Sequence, residues 1–432
     1  MNRPLTALVA TGLVLLCSRS SAELVVEITK GQADAIPIAI VPFSSPEAAA
    51  ASFDVAQLVS DDLARSGRFK ATDRRDMIEQ PHTGAGISFD DWRRLNNDYM
   101  VVGQVQASPP DRYNITFELY NVLTRQRLLA YQISANKPGL RLASHQVADM
   151  VFEKILGIRG AFATRIAYIA VLGTLPHRDY RLIVADADGE NPHVVMQSNE
   201  PLMSPAWSPD GQSLAYVSFE NRLPSVYVQF LKTGERQRVS AQAGVNQAPA
   251  WSPDGKKLAL TLSTRDGNLD IYIKDLTTQA LTRITDDPGI DTEPQWSKDG
   301  QSLYFTSDRA GGPQIYRVGT HSGDKPRRLT FQGSYNARPR LSPDESHLAF
   351  VTQEDGGYRI ASMDLRGGGE TQVLTKGHFD VSPSYAPNGA EIIYASRDRG
   401  RGVLALVSAD GRVQERLVSS EGELQEPAWA PF

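Results

Sequence analysis

Short apolar stretches alternate with turn residues over most of the chain, and one stretch returns at a constant interval. Residues 205–211 read Pro-Ala-Trp-Ser-Pro-Asp-Gly, and each copy begins 44 or 45 residues after the last. The copies begin at Pro205, Pro249, Pro294, Pro339, Pro383 and Pro427. An even period of this length, with room for four short strands, is typical of a β-propeller blade.

Each repeat predicts four strands. The first carries the Trp and ends in the Ser-Pro-Asp-Gly turn, where Pro sets φ and Gly permits a positive φ. The second is apolar, as in residues 214–217.

Upstream, residues 166–171, 180–186 and 193–196 match a second, third and fourth strand without a first. The surplus first strand at residues 427–432 completes that blade, so we expect six blades in a ring closed by the C-terminal strand. The repeated Trp and Tyr residues should pack between blades rather than stack on ligands.

The residues before the array alternate between helical and strand periodicity. Helices are predicted at residues 53–63, 89–95 and 140–156, and strands at 36–43, 99–105, 113–120 and 128–133, with 69–71 as a short connector. The expected fold is therefore mainly β: a small α/β domain over residues 36–162 and a six-bladed propeller over residues 163–432.

Residues 1–22 have the pattern of a cleaved signal peptide. Arg3 provides the positive region, residues 5–16 are apolar but too short to span a bilayer, and Ala22 ends a small-residue cleavage site. The alternative is a lipoprotein acylated at Cys17, although Leu16 is not the small residue that acylation needs before the cysteine. Cleavage after Ala22 removes the only cysteine, so a disulfide or a cysteine nucleophile is not expected.

The composition narrows the class of partner. The 432 residues carry a formal net charge of −5, which gives no basic surface for nucleic acid or an anionic membrane. No later stretch is apolar and long enough to cross a bilayer. We therefore expect a monomeric periplasmic protein without direct membrane insertion.

The first residues after the cleavage site form a separate segment. Apolar residues alternate at Leu24, Val26 and Ile28, which predicts a short strand, and residues 30–35 read as a flexible hinge. A tethered strand of this kind, over residues 23–35, can add to the edge of another sheet. An edge strand of its own domain, or a disordered tail, fits the pattern as well.

Recognisable catalytic motifs are missing. The sequence holds no Gly-x-Ser-x-Gly elbow, no phosphate-binding loop, no dinucleotide fingerprint and no metal spacing among its seven His. Clusters of Asp and Arg, such as residues 264–266, 307–309 and 396–399, recur at one phase of the repeat and predict a salt-bridged rim. No enzyme activity and no cofactor are expected, although a cation could bind in the channel near Asp291 and Glu293. The alternative is a propeller hydrolase acting on carbohydrate or peptide, with paired carboxylates at the channel mouth.

Polar segments that differ from blade to blade precede the repeated motif. We expect them to be loops around one mouth of the channel, suited either to recognition of a macromolecule or simply to contact with solvent. They comprise residues 203–204, 246–248, 291–293, 336–338, 380–382 and 424–426.

The order of these features resembles the TolB family, the periplasmic components of the Tol–Pal system. The resemblance covers essentially the whole chain. It rests on the opening Glu-Leu-Val-Val-Glu-Ile, on residues 37–43, 246–255, 291–296 and 310–316, and on the final Pro-Ala-Trp.

The resemblance implies a non-enzymatic adaptor that maintains outer-membrane integrity and takes part in membrane constriction during cell division. It implies binding of the lipoprotein Pal at the propeller mouth through Val245, Ala248 and Thr292, where Val245 stands in place of a histidine that the family can have. It implies binding of TolA through the N-terminal strand, and other outer-membrane-associated proteins are further candidate partners. It also implies a switch in which the strand docks on its own protein when Pal is bound, so that the two partners compete through one mobile strand. The residues implied for TolA are Glu23, Leu24, Val25, Val26, Glu27 and Ile28.

Overall fold

The computed structural model describes residues 25–26, 35–45, 53–108, 110–174, 176–263, 267–418 and 422–432. The predicted signal peptide lies outside the described residues. So do Cys17, the hinge at residues 30–34 and the Asp–Arg cluster at residues 264–266. Within the described part of the chain, no helix is both long enough and apolar enough to span a membrane.

The N-terminal domain is one mixed sheet covered by helices. Its strands lie in the order β3-β2-β4-β5-β6, and β1 lies elsewhere. The strands are β1 (Val25–Val26), β2 (Ile36–Ile40), β3 (Phe69–Ala71), β4 (Tyr99–Ser108), β5 (Arg112–Asn121) and β6 (Gln126–Asn136). The helices are α1 (Val55–Arg65), α2 (Phe89–Arg94) and α3 (Leu140–Leu156), with short 3₁₀ turns at Arg74–Asp76, Gly84–Gly86 and Lys137–Gly139.

Local sequence signals explain the helix ends. Asp54 caps α1 by accepting a hydrogen bond from the backbone N–H of Gln57 at 3.0 Å. Gly157 ends α3 in the left-handed conformation, at a φ of 72°, as its lack of a side chain allows. One prediction here is wrong. The predicted connector at Phe69–Ala71 is a strand that pairs in parallel with β2. Its Phe69 side chain is fully buried, with its ring centroid 6.0 Å from that of Phe152, and this packing holds the segment against the sheet.

The rest of the chain forms six four-stranded antiparallel blades, as predicted. Blade 1 consists of β30 (Glu423–Trp429), β7 (Arg165–Thr174), β8 (His177–Asp186) and β9 (His193–Ser198). Blade 2 is β10 (Leu202–Trp207), β11 (Ser213–Ser218), β12 (Ser225–Phe230) and β13 (Arg236–Ser240); blade 3 is β14 (Asn246–Trp251), β15 (Lys257–Ser263), β16 (Leu269–Asp275) and β17 (Leu281–Arg283). Blade 4 is β18 (Asp291–Trp296), β19 (Ser302–Ser307), β20 (Gln314–Gly319) and β21 (Arg327–Arg328). Blade 5 is β22 (Asn336–Leu341), β23 (His347–Glu354), β24 (Gly357–Asp364) and β25 (Thr371–Val373); blade 6 is β26 (Val381–Tyr385), β27 (Glu391–Asp398), β28 (Arg401–Ser408) and β29 (Gln414–Val418).

The C-terminal strand closes the ring. In blade 1, β30 pairs antiparallel with β7, with Trp429 opposite Ile166 and Leu424 opposite Ala170. Closure covers the inner edge of β7, which an open array would expose.

The repeated Trp residues join neighbouring blades, as their predicted packing role requires. The indole N–H groups of Trp207, Trp251 and Trp296 each donate to a backbone carbonyl of the preceding blade. The acceptors are Ala428 at 3.0 Å, Ala206 at 3.1 Å and Ala250 at 3.0 Å. Each Trp therefore buries an aromatic surface between blades and also satisfies its polar N–H.

The first strand of every blade contains a β-bulge. One residue per blade has a φ between 50° and 57°, and the register shifts around it. The bulge residues are Ser204, Ala248, Glu293, Arg338, Ser382 and Glu426. They were predicted to lie in loops before these strands, which is wrong for each of them. The extra residue of a bulge breaks the alternation of side chains and imitates a loop in the sequence.

The two domains meet along blades 1 and 6. Gly67, at a φ of 65°, passes so close to Val413 that a Cβ atom would lie 2.4 Å from a methyl group. Arg68 pairs with Asp410 at 3.4 Å, and the side-chain amide of Asn388 donates to the carbonyl of Arg159 at 3.0 Å.

Candidate functional site

A channel of about 560 Å³ runs along the axis of the propeller, and the first strands line it. Each strand contributes its bulge residue to an upper ring and the residue two positions later to a lower ring. The upper ring is Glu426, Ser204, Ala248, Glu293, Arg338 and Ser382, from blade 1 to blade 6. The lower ring is Ala428, Ala206, Ala250, Gln295, Arg340 and Ser384 in the same order.

Charges of the upper ring are engaged with one another. Arg338 Nε lies 2.6 Å from Glu293, and the same guanidinium contacts the hydroxyl of Ser382. Glu293 also accepts from the Thr306 hydroxyl at 3.0 Å. Glu426 accepts from the backbone N–H of Ser204. These contacts link neighbouring blades around the channel.

The acidic residues proposed for a cation are also paired. The fully buried Asp291 lies 2.7 Å from the guanidinium of Arg309, and Glu293 is paired with Arg338. Arg309 belongs to the Asp–Arg cluster at residues 307–309, which was predicted to form salt bridges. Because a guanidinium already neutralises each carboxylate, their attraction for a cation is reduced. The same pairing leaves neither carboxylate free for the acid and base roles of a hydrolase.

Two of the three residues implied for Pal line the channel. Ala248 is a bulge residue, and Thr292 precedes the next bulge. The Thr292 hydroxyl joins blades 3 and 4, since it accepts from the Gln247 amide at 3.3 Å and from the Thr261 hydroxyl at 3.4 Å. Val245 lies just before β14 and outside the channel lining, where its N–H donates to the Ser263 hydroxyl at 2.9 Å.

The N-terminal segment reaches blade 6. Strand β1 pairs antiparallel with the outer strand β29, with Val25 opposite Val418 and Val26 opposite Leu417. Blade 6 thereby has five strands. The neighbouring residues implied for TolA, namely Glu23, Leu24, Glu27 and Ile28, lie outside the described residues.

A buried ion network at the domain interface was not predicted from the sequence. Arg65 on α1 contacts Asp62 at 3.0 Å and donates to the carbonyl of Ala187 in the propeller at 2.9 Å. His145 on α3 lies 2.6 Å from Asp62 through Nδ1 and 3.8 Å from Asp188 through Nε2. The network thus extends from two helices of one domain to the turn after β8.

Arg141 on α3 completes this network by pairing with Asp186 at 2.9 Å and with Asp188. Within the described ranges, Asp62, His145 and Asp188 are the group of metal-ligand side chains that come together. Because Arg65 and Arg141 hold carboxylate oxygens of the two Asp residues, the network fits a domain contact better than a metal centre. No sequence spacing identifies it, since its members come from separate segments.

Glu415 is a further buried ionisable side chain near this interface. It lies on β29 at 2% exposure, and neither carboxylate oxygen has a hydrogen-bond partner among the described residues. Burial raises the pKa of Glu415 to about 8, and Arg65 only partly offsets this effect. A signal was present in the sequence, because Glu415 alternates with Val413 and Leu417 on the apolar face of the strand.

Comparisons with known proteins agree with this architecture. Residues 24–128 match the family model "TolB amino-terminal domain", and residues 152–432 match "TolB beta propeller domain". The chain is 52% identical over 423 residues to a Tol-Pal system protein TolB of Nitrosococcus oceani, covering 97% of this chain and 96% of that protein.

Two further relatives cover nearly the full length. A Tol-Pal system protein TolB of Xanthomonas campestris pv. campestris is 45% identical over 436 residues, covering 100% of this chain and 99% of that protein. The crystal structure of TolB from Acinetobacter baumannii superposes with a TM-score of 0.88 at 40% identity, covering 95% of this chain and 100% of that chain. With two domains, a six-bladed ring and near-complete coverage in common, the chain belongs to the TolB family of Tol–Pal system proteins.

Proposed function

We propose that this Tol–Pal component is a periplasmic, non-enzymatic adaptor. It binds the lipoprotein Pal at the upper mouth of the channel and TolA through its N-terminal segment. Through these contacts it contributes to outer-membrane integrity and to constriction of the membrane during cell division. A reaction has no support from the channel, whose carboxylates Glu293 and Glu426 pair with a guanidinium and a backbone N–H.

The observation that carries the TolA proposal is the pairing of β1 with β29. The N–H and C=O groups of Val25 and Val26 form an antiparallel ladder with a sheet edge in the same chain. A partner that presents a similar edge can use the same groups. Because only two residues are paired in the described part of β1, the docked and released states can differ by only a few kcal/mol. Docking on blade 6 and binding to TolA would then exclude each other.

The upper mouth supports the Pal proposal. Its ring combines charged residues with the small side chains of Ser204, Ala248 and Ser382. This mixture on a closed scaffold gives a polar, concave and rigid surface of the kind that recognises a protein partner.

Removal of residues 23–34 tests the TolA proposal. The shortened protein should lose TolA binding and retain or strengthen Pal binding, both measured by calorimetry with purified partners. Val26→Pro is a narrower variant, because proline lacks the N–H donor, and Val26→Thr is its matched control with the β propensity retained. Equal TolA affinity of the shortened and complete proteins would exclude strand addition.

Thr292→Arg tests the Pal proposal. A long cation in place of a small hydroxyl should obstruct the mouth and weaken Pal binding at least about tenfold, which corresponds to about 1.4 kcal/mol. Thr282→Arg is the matched control, since Thr282 is exposed on the outer strand β17. An unchanged Pal affinity of the Thr292 variant, with the fold intact by circular dichroism, would show that Pal binds elsewhere.

A further inference from the structure

Arg340 is the only charged member of the lower ring. The other five positions hold three Ala, one Gln and one Ser. The upper ring contains Glu293, Glu426 and Arg338 and has a net negative charge. The channel is therefore polarised along its axis, with its unbalanced positive charge at the lower ring.

The Arg340 guanidinium has unused donors. It carries five N–H groups, and within the described part of the chain its hydrogen bond is the one from Nη1 to the carbonyl of Pro339 at 2.8 Å. Among the described residues, no carboxylate lies within ion-pair distance of it, in contrast to Arg338. The nearest candidates in the upper ring, Glu293 and Glu426, are engaged with other donors.

The environment of Arg340 penalises its charge. Burial in the channel wall lowers the pKa of Arg340, and the positive charge of Arg338 acts in the same direction, while the carboxylates of Glu293 and Glu426 offset the shift only in part. An anion in the channel would offset both effects. The planar fork of a guanidinium matches two oxygens of a carboxylate or an oxyanion.

We propose that the lower ring is a binding site for a small anion, a carboxylate or an oxyanion, held by Arg340. The channel volume of about 560 Å³ accommodates a molecule of the size of citrate. The neighbouring Gln295 amide donates to the carbonyl of Trp296 at 3.3 Å, and the Ser384 hydroxyl accepts from the N–H of Trp429 at 2.9 Å. Each keeps a further N–H or O–H that can complete the polar contacts of the ring. The site does not depend on binding of Pal or TolA.

The test is calorimetric titration of the full protein with citrate and with sulfate at constant ionic strength. We expect the wild-type protein to bind at least one of the two anions. Arg340→Gln should weaken that binding at least tenfold, and Arg340→Lys, which keeps the charge without the fork, should weaken it less. No measurable binding of either anion to the wild-type protein, or equal affinity in the Arg340→Gln variant, would overturn the proposal.

Gln295→Glu provides a second test that keeps the Arg340 guanidinium in place. Gln295 occupies the lower-ring position of blade 4, next to Arg340 in blade 5, so a carboxylate there should neutralise Arg340 and abolish anion binding. Gln301→Glu, in the exposed turn of the same blade, is the matched control and should bind as the wild type does. Anion binding retained by a folded Gln295→Glu variant would also contradict the proposal. Unfolding midpoints of all variants establish that the ring is intact.

Discussion

Blades 2–4 and blades 5–6 follow the same repeat but differ at the position that faces the preceding blade. Blades 2–4 have a Trp whose N–H donates to the neighbouring blade, whereas blades 5 and 6 have Leu341 and Tyr385. Leu341 has no donor, and the buried Tyr385 hydroxyl has no hydrogen-bond partner among the described residues. Blades 2–4, the regular blades, are thus each joined to the preceding blade by an indole hydrogen bond. Blades 5 and 6, the irregular blades, lack this contact.

Blades 5 and 6 carry charged and edge features that blades 2 and 3 lack. Blade 5 supplies Arg338 and Arg340 to the channel. Blade 6 receives β1 and contacts the N-terminal domain. The comparison suggests a division of roles within one ring. Blades 2–4 keep the Trp contact and line the channel with Ala248, Thr292 and Glu293, whereas blades 5 and 6 lack that contact and provide Arg338, Arg340 and the edge that pairs with β1.

Trp251→Ala should give the largest effect. Loss of a large aromatic side chain between blades 2 and 3 should lower the free energy of unfolding by about 3–5 kcal/mol, measured by urea denaturation. If the irregular blades are as dependent on this position, Tyr385→Ala will cost as much, and the distinction between the two sets of blades fails.

Trp251→Phe and Tyr385→Phe isolate the polar part of the same contact. The first leaves the Ala206 carbonyl without its donor and should cost about 1–3 kcal/mol. The second removes a hydroxyl without a partner among the described residues and should be close to neutral. An equal loss in free energy of unfolding for both variants would show that the Trp hydrogen bond does not contribute to stability.

Glu415→Gln should have a pH-dependent effect at the edge of blade 6. The folded-state pKa of about 8 lies above the ordinary value of 4.5, so the folded chain holds this proton more tightly than the unfolded chain. Its contribution to stability is therefore complete below the ordinary pKa and is lost as the pH rises through about 8. The variant should exceed the wild type in stability by a few kcal/mol near about pH 9 and much less near about pH 5.

Denaturation at several pH values measures this difference. The pKa of Asp149 on α3, raised by burial to about 6, acts in the same direction in both proteins and cancels from the comparison. Glu235→Gln, in an exposed turn of blade 2, is the control and should not change the pH dependence. A constant difference between wild type and Glu415→Gln across the pH range would contradict the assignment.

Asn388→Asp should have a small effect on stability. Asp210 and Asp254 occupy the equivalent turns of blades 2 and 3, where each accepts a hydrogen bond from a turn N–H. Asn388 makes the same contact with Ala390 and uses its amide group to donate to Arg159. An Asp side chain retains the turn hydrogen bond but cannot donate to Arg159. The variant should therefore lower the free energy of unfolding by about 1 kcal/mol. Asp254→Asn is the reciprocal control, and an equal change in thermal midpoint for both would argue against a special role of Asn388.

The propeller was predictable because each blade repeats the same sequence pattern of strands and turns. The Trp positions and the interval indicated six blades, and α3 has the predicted bounds. The three-residue strand Phe69–Ala71 was missed because periodicity needs a longer run. The bulges were missed because one added residue reverses the apparent side-chain alternation.

The candidate site was predictable only in part. Ala248 and Thr292 were assigned to the channel mouth by resemblance, and they line the channel, whereas Val245 lies beside it. The contact of Arg65 with Ala187 depends on how two domains pack, which local sequence does not encode. The pairing of β1 with β29 could not be predicted for the same reason. Local sequence predicts that a strand forms but not the sheet edge to which it is added.

The pairing of β30 with β7 also affects how the ring is assembled. Whether the chain folds during synthesis or after the proposed export, β7 and its two partners in blade 1 emerge from the N-terminal side long before β30. The inner edge of β7 remains an open template for other strands throughout that interval. Aggregation during folding should therefore depend on the time between formation of β7 and arrival of β30, rather than on the stability of the finished protein.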